Sequence, residues 1–210
     1  MRRITEESDV EFVVTWHPYF LDAGLPQTGM TKRDYYQVKG LTEAKMTGMS
    51  RKMSKLFEVE GLTYTLDGNI GSTFDSHRLA EWALTTYGAK IQDKLVEAMF
   101  RKYFSEAQSP ADLSALLAAA EEAGIDWDAA KQFLTSESAR QRTFEIAQNF
   151  MVATGVPHYF MELEGAASEE PKGGVVQVPG AQDEQTFYHV LSSLIRKAEQ
   201  RTSASSMAKL

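Results

Sequence analysis

The chain has 210 residues, with an apolar fraction of 43% and a charged fraction of 24%, which are ordinary values for a globular domain. Twenty-two basic and 29 acidic side chains give a net charge of -7, and no basic cluster is evident, so nucleic acid and an anionic membrane surface are not expected as partners. The sequence has no apolar run long enough to span a membrane and no cysteine, which excludes disulfides, thiolate metal sites and a thiol nucleophile within these residues.

The first predicted element is a strand. Apolar and other residues alternate with a period of two over residues 10–16, and Pro18 ends the pattern. A loop rich in glycine and proline follows. Thr31, with Asp34 three residues later, then predicts the start of a short helix that ends at Gly40.

The middle of the chain is predicted to be helical from about residue 30 to residue 153. Three apolar stripes with helical spacing follow one another, over residues 46–57, 79–87 and 91–103. The methionines of the first stripe could form an adaptable peptide-binding face, although core packing is their ordinary role.

Two capping signals and a longer pattern complete this helical block. Ser109 followed by Pro110 predicts a helix that starts there and stops at Gly124. Asp126 is predicted to cap another short helix, and a longer helix is predicted over about 138–153.

After Gly155 the period changes from helical to strand-like. Residues 156–163 and 175–178 are predicted to be two strands of a hairpin, joined by a polar loop. Asp183 is expected to cap a final amphipathic helix that ends near Arg201.

Four short segments carry a resemblance to a known family. They are W-H-P-Y-F-L-D at 16–22, S-T-F-D-S-H-R-L at 72–79, G-V-P at 155–157 and P-G-A-Q at 179–182. Together they resemble the DsbA-like thioredoxin-fold family, in particular its FrnE-type branch, which is related to 2-hydroxychromene-2-carboxylate isomerase and kappa-class glutathione transferases.

The resemblance implies an α/β fold that is mostly helical, in which a thioredoxin-like sheet carries a large all-helical insertion. The expected thioredoxin-like domain comprises residues 1–29 and 154–201. The expected helical insertion is 30–153, and 202–210 is expected to be a flexible tail.

The resemblance also implies a substrate surface beside a cis Val156–Pro157 bond, which would leave the main chain of Val156 open to an extended peptide or to glutathione. On the residues alone, a trans proline that starts an edge strand is the alternative. His158 either interacts with a substrate or is a hydrogen-bonded, half-buried histidine. The far side of the expected groove is closed by Gly180, Ala181 and Gln182.

Three residues of the S-T-F-D-S-H-R-L segment are expected by resemblance to border the same groove, namely Ser72, His77 and Arg78. The alternative is that Ser72 caps a helix with Asp75 and that His77 and Arg78 are surface residues. No histidine spacing indicates a metal site, and no catalytic residue is assigned.

The family resemblance further implies a strand, a C-P-W-C dithiol or catalytic serine, and a helix before the segment at 10–16. Residues 1–9 would correspond to the end of that helix, so the true start is expected to lie upstream, unless another segment fills the position. The expected function is that of a DsbA/FrnE-like thiol-disulfide oxidoreductase whose dithiol is absent from this sequence. The alternatives are a kappa-class-like glutathione transferase or isomerase, and a non-catalytic peptide or thiol-ligand binding protein.

The expected partners are therefore a peptide or a small thiol such as glutathione, without a cofactor, and a homodimer is an additional option. The C-terminal Ala208-Lys209-Leu210 is a conservative relative of the S-K-L peroxisomal signal. It predicts an import receptor as a partner and a peroxisome-type organelle as the location, with the cytoplasm as the alternative. The first nine residues lack the apolar core of a secretory signal, so secretion is not expected.

Overall fold

The computed structural model describes residues 1–8, 10–150, 155–162 and 175–207. The chain forms two compact units, one of residues 1–12 and 152–210 and the other of residues 13–151. Residues 13–29 cluster with the helical unit, although the sequence assigned them to the thioredoxin-like part. The helices and strands are α1 (Arg2–Glu7), β1 (Met30–Thr31), α2 (Lys32–Val38), α3 (Glu43–Val59), β2 (Asn69–Ile70), α4 (Phe74–Tyr87), α5 (Ala89–Phe104), α6 (Leu113–Glu122), α7 (Trp127–Thr135), α8 (Arg140–Asn149), β3 (His158–Met161), β4 (Val176–Pro179) and α9 (Glu184–Met207).

Side-chain caps fix several helix starts where the sequence predicts them. The hydroxyl of Thr31 accepts a hydrogen bond of 3.0 Å from the Asp34 amide at the start of α2. The carboxylate of Asp126 accepts one of 2.9 Å from Ala129 at the start of α7. Each bond satisfies an amide that has no partner within its own helix. The predicted starts of α2 and α7 are confirmed.

The predicted start of α6 is wrong. The helix begins at Leu113, and its cap is Asp112, whose carboxylate accepts a hydrogen bond of 2.9 Å from the Ser114 amide. The hydroxyl of Ser109 instead accepts a bond of 3.3 Å from Ala111, two residues later. Ser109 therefore stabilises the turn before the helix, a local bond that competes with its use as a cap.

The final helix is longer than predicted, because α9 continues beyond Arg201 to Met207. The segment T-S-A-S-S-M at 202–207 contains neither glycine nor proline, so no residue there stops the helix. Most of the expected flexible tail is thus helical. Residues 208–210 lie outside the described residues.

The core of the larger unit lies between α4, α5, α6 and α7, which pack on one another. Trp82 stacks on Phe133 with ring centroids 4.7 Å apart. Of the methionine stripe in α3, Met46 is fully buried, whereas Met49 and Met53 are half-buried. The buried core residues are Leu79, Ala83, Leu95, Ala98, Leu116, Leu117, Ala119, Ala120, Ala123, Ile125, Ala130, Phe133 and Leu134.

The strand predicted at 10–16 is wrong, because the described residues of this segment are in irregular structure. The side chain of Gln92 satisfies the main chain of Trp16 instead: its oxygen accepts a hydrogen bond from the Trp16 amide at 2.9 Å, and its nitrogen donates to the Trp16 carbonyl at 2.7 Å. A side chain of α5 therefore supplies the hydrogen bonds that a neighbouring strand would have supplied to Trp16. The structure also contains the short antiparallel pair β1–β2, which the sequence does not reveal.

The smaller unit contains the predicted hairpin. β3 and β4 are antiparallel, with His158 opposite Pro179 and Met161 opposite Val176. Tyr159 packs edge-on against Phe187 of α9, with ring centroids 4.8 Å apart. Helix α1 also packs on α9 and buries Ile4.

No helix in the described part of the chain is both long and apolar enough to cross a membrane.

Candidate functional site

The segment before β3 lies beside the segment after β4. The Val156–Pro157 peptide bond is cis. The Gly180 amide donates a hydrogen bond of 2.8 Å to the carbonyl of Pro157, one step beyond the last strand pair. This bond holds residues 156–158 next to residues 180–182.

The second of these segments is a tight turn into α9. Gly180 has a φ of +77°, in the left-handed region that glycine adopts most readily. The side-chain amide of Gln182 donates a hydrogen bond of 2.8 Å to the Pro179 carbonyl, and Ala181 is exposed. The carboxylate of Asp183 caps α9 by accepting a bond of 2.7 Å from Thr186, and this hydrogen bonding lowers the pKa of Asp183.

His158 is half-buried, and its Nε2 lies 3.1 Å from the side-chain oxygen of Gln177. Its Nδ1 is buried and has no hydrogen-bond partner among the described residues. The ring also contacts Phe160, with centroids 4.8 Å apart. The contact with Gln177 matches the alternative of a hydrogen-bonded, half-buried histidine.

The sequence did not indicate Gln177 as a neighbour of His158. The signal that could have found it is the register of the hairpin. In this register Pro179 lies opposite His158, and Gln177 lies opposite Phe160. His158, Phe160 and Gln177 therefore lie on the same face of the hairpin, where their side chains can meet.

Arg78 is 1% exposed, and its guanidinium makes hydrogen bonds with main-chain carbonyls and an ion pair with a carboxylate. Its Nη2 donates to the Leu134 carbonyl at 2.6 Å, and its Nη1 donates to the carbonyls of Ser136 and Ser138 at 2.7 and 3.0 Å. Asp75 pairs with the guanidinium at 2.9 Å. These contacts give Arg78 a structural role at the C-terminal end of α7, and the alternative that it is a surface residue is wrong.

Ser72 lies just before α4, and His77 lies in its first turn. The Ser72 hydroxyl accepts a hydrogen bond of 3.3 Å from the Phe74 amide, so it supports the turn into the helix, whose N-cap position is Thr73. The ring of His77 lies edge-on to Phe20, at a centroid distance of 5.3 Å. Burial lowers the pKa of His77 to about 4, against smaller opposing effects from a Tyr19 main-chain hydrogen bond and from Glu81.

The structure therefore brings together six of the nine predicted site residues, which we call the docking surface: Val156, Pro157, His158, Gly180, Ala181 and Gln182. All six belong to the smaller unit, and Ser72, His77 and Arg78 belong to the larger one. In the described residues, no group of three or more His, Asp or Glu side chains is arranged to hold a metal ion.

A β-hairpin that packs on a C-terminal helix, together with a large helical unit, defines a mostly helical α/β protein. The family model for a DSBA-like thioredoxin domain matches residues 1–192, so the chain belongs to this family and contains a thioredoxin-like domain. A search of curated proteins found no match to the chain.

Proposed function

We propose that the chain is a FrnE-type DsbA-like protein that binds an extended peptide, or a small thiol such as glutathione, at the docking surface. The proposal concerns binding rather than dithiol exchange, because the 210 residues contain no cysteine that could attack a disulfide. Membership of the DSBA-like family supports the proposed class, and the exposure of Val156 beside β3 supports the proposed location of the binding surface.

The observation that carries the proposal is the exposure of Val156, just ahead of β3. In the described part of the chain β4 is the strand that pairs with β3. Val156, just ahead of β3, is 52% exposed, and its amide and carbonyl have no hydrogen-bond partner within the described residues. A strand edge with unpaired polar groups can be extended by a peptide, whose main chain supplies the missing bonds.

Two exposed valines at opposite ends of the hairpin allow a matched test. Val156 is part of the docking surface, whereas Val175 precedes β4 at the other end and is 43% exposed. We expect Val156→Lys to weaken binding of glutathione, or of a short valine-rich peptide, by about tenfold or more, equivalent to about 1.4 kcal/mol. The reason is that the long charged side chain crowds the main-chain groups that bind the ligand.

Isothermal titration calorimetry on the whole chain measures this effect, with Val175→Lys as the control that should keep the wild-type affinity. Equal loss in both variants, or no saturable binding of either ligand to the wild-type protein, would contradict the proposal. Comparing the two ligands also indicates whether the surface prefers peptide or glutathione.

A kappa-class-like glutathione transferase or isomerase is the second candidate, because a peroxisome-type C-terminus is compatible with that class. Glutathione conjugation that Val156→Lys reduces would favour it over a binding protein. Insulin reduction by the chain is not expected, since no thiol is present.

The proposed location follows from the last three residues. Ala208-Lys209-Leu210 would be recognised by a peroxisomal import receptor. A fluorescent protein fused ahead of residue 1 should enter peroxisomes, and deletion of residues 208–210 should leave it in the cytosol. An unchanged distribution after the deletion would contradict this proposal.

A further inference from the structure

The larger unit contains a cleft between α2 and α3 that the proposed function does not use. Its volume is about 260 Å³, and Leu66, which is 4% exposed, forms its apolar wall. Two arginines and three hydroxyl groups supply the polar lining, namely Arg33, Thr47, Ser50, Arg51 and Ser54. Four of these lie on α3 at spacings of three and four residues, so they share one face of that helix.

This part of the chain has a charge opposite to that of the whole. Residues 32–55 contain seven basic and two acidic side chains, although the chain carries a net charge of -7. The seven basic residues are spread along α2, α3 and the loop between them, so they form no contiguous basic run in the sequence. The local excess of positive charge would attract a small anion.

The two arginines are placed differently. Arg33 donates to the Glu43 carboxylate at 2.9 Å, and Asp67 lies 3.7 Å from its other terminal nitrogen, so the guanidinium is held in position. Arg51 is exposed, and no carboxylate of the described residues lies within ion-pair distance of it. Of the two arginines, Arg51 is therefore the one whose positive charge is available to bind an anionic ligand.

We propose that this cleft binds a tetrahedral dianion, either inorganic phosphate or the phosphate group of a small monoester. Guanidinium groups donate paired hydrogen bonds that match phosphate oxygens, and serine and threonine hydroxyls donate further single bonds. The volume is slightly below the roughly 300–1,000 Å³ that is typical of drug-sized ligands, which suits a small anion. The site lies in the unit that does not contain the docking surface, so it stands independently of the peptide-binding proposal.

The direct test is calorimetric titration of the whole protein with inorganic phosphate and with phenyl phosphate at low ionic strength. We expect a Kd of about 1 mM or tighter for at least one of them. Arg51→Gln should weaken binding about tenfold, because it removes the charge without shortening the side chain much. Lys52→Gln is the matched control: it removes the same charge from the next residue of α3, which does not line the cleft.

A second pair of variants guards against misfolding. Ser50→Ala and Ser54→Ala, both on the lining face of α3, should each weaken phosphate binding severalfold and leave the circular dichroism spectrum unchanged. Phosphate binding that falls equally in Arg51→Gln and Lys52→Gln would show unspecific attraction and overturn the proposal. Absence of saturable binding by both anions would overturn it as well. Tighter binding of phenyl phosphate than of inorganic phosphate would identify a monoester as the ligand class.

Discussion

Arg78 shows how one side chain can complete a helix at a distance. The last carbonyls of an α-helix have no partners within the helix, and a nearby cation stabilises them. Arg78 of α4 donates to the carbonyls of Leu134, Ser136 and Ser138 at and beyond the end of α7. It therefore joins two helices of the core through main-chain atoms, which any sequence can supply, and this explains why sequence spacing did not reveal its role.

Replacing Arg78 by methionine should lower the free energy of unfolding by about 3–5 kcal/mol, because the buried carbonyls and Asp75 lose their donor while the apolar stem is kept. Urea denaturation monitored by tryptophan fluorescence measures the change. Arg142→Met is the control, since Arg142 is exposed on α8 and its loss should change stability by less than about 0.5 kcal/mol. Similar values for the two variants would contradict the role given to Arg78.

His77 gives the protein a pH dependence whose sign follows from burial. Its pKa is about 4 in the folded protein and near 6.5 in an unfolded chain. Between these values the unfolded state binds more protons, so the free energy of unfolding falls as the pH falls from 7 towards 4 and this contribution changes no further below that. From pH 7 to pH 5 the loss from this group is about 2 kcal/mol.

The variant His77→Gln should therefore lose about 2 kcal/mol less stability than the wild type between pH 7 and pH 5. Urea denaturation at the two pH values measures this difference. His189→Gln, which changes an exposed histidine of α9, should keep the wild-type slope. A slope that stays unchanged in His77→Gln would contradict the burial argument.

At the scale of elements, capping determines where helices begin. Asp112 and Ser109 are both residue types that favour N-caps, but the hydroxyl of Ser109 is engaged two residues later, in the turn. Asp112→Ala should lower the free energy of unfolding by about 1 kcal/mol, and Ser109→Ala by clearly less. Thermal or urea unfolding of the two variants distinguishes them, and the reverse order would restore the helix start that the sequence predicted.

The segment 10–16, which was predicted to be a strand, depends on the side chain of Gln92 for its main-chain hydrogen bonds. Gln92 is fully buried and bonds both main-chain polar groups of Trp16 as well as the Ala80 carbonyl at 3.2 Å. Gln92→Leu should leave these groups unsatisfied and cost about 2–4 kcal/mol. The Trp16 amide should exchange its hydrogen faster in Gln92→Leu than in the wild type. Gln132→Leu, which changes an exposed glutamine, should leave this exchange rate unchanged. A protected Trp16 amide in Gln92→Leu would contradict this account.

These elements show what the sequence can and cannot predict here. Helices whose starts are indicated by a capping residue, such as α2 and α7, could be predicted because the interactions that define these starts lie within a few residues. The two strands of the hairpin could be predicted because the strand-like period is also a local pattern. The irregular 10–16 segment and the pair β1–β2 were missed, because what decides them is a contact across many residues, such as that of Gln92 with Trp16.

The site divides in the same way. The family resemblance indicated Val156, Pro157 and the 180–182 turn, and the bond from Gly180 to Pro157 brings them together. Arg78 lies in a recognisable motif, yet its burial and carbonyl partners depend on how α7 ends beside α4. Burial of a charged group cannot be read from a motif alone.

For the whole molecule, membership of the DSBA-like thioredoxin family combines with a sequence that has no cysteine. Neither the docking surface nor the cleft between α2 and α3 contains a thiol. The two ligand sites that we propose use different groups, namely main-chain groups at a strand edge in one and arginine and hydroxyl side chains in the other.

The central claim, that a ligand docks beside Val156, is tested most directly by an NMR titration of the isotope-labelled whole chain with glutathione and with a valine-rich peptide. The account predicts saturable amide shifts concentrated in residues 156–162 and 176–183, with the Val156 amide among the largest. Saturable shifts confined to residues outside these two segments, or no shifts at millimolar ligand, would contradict it.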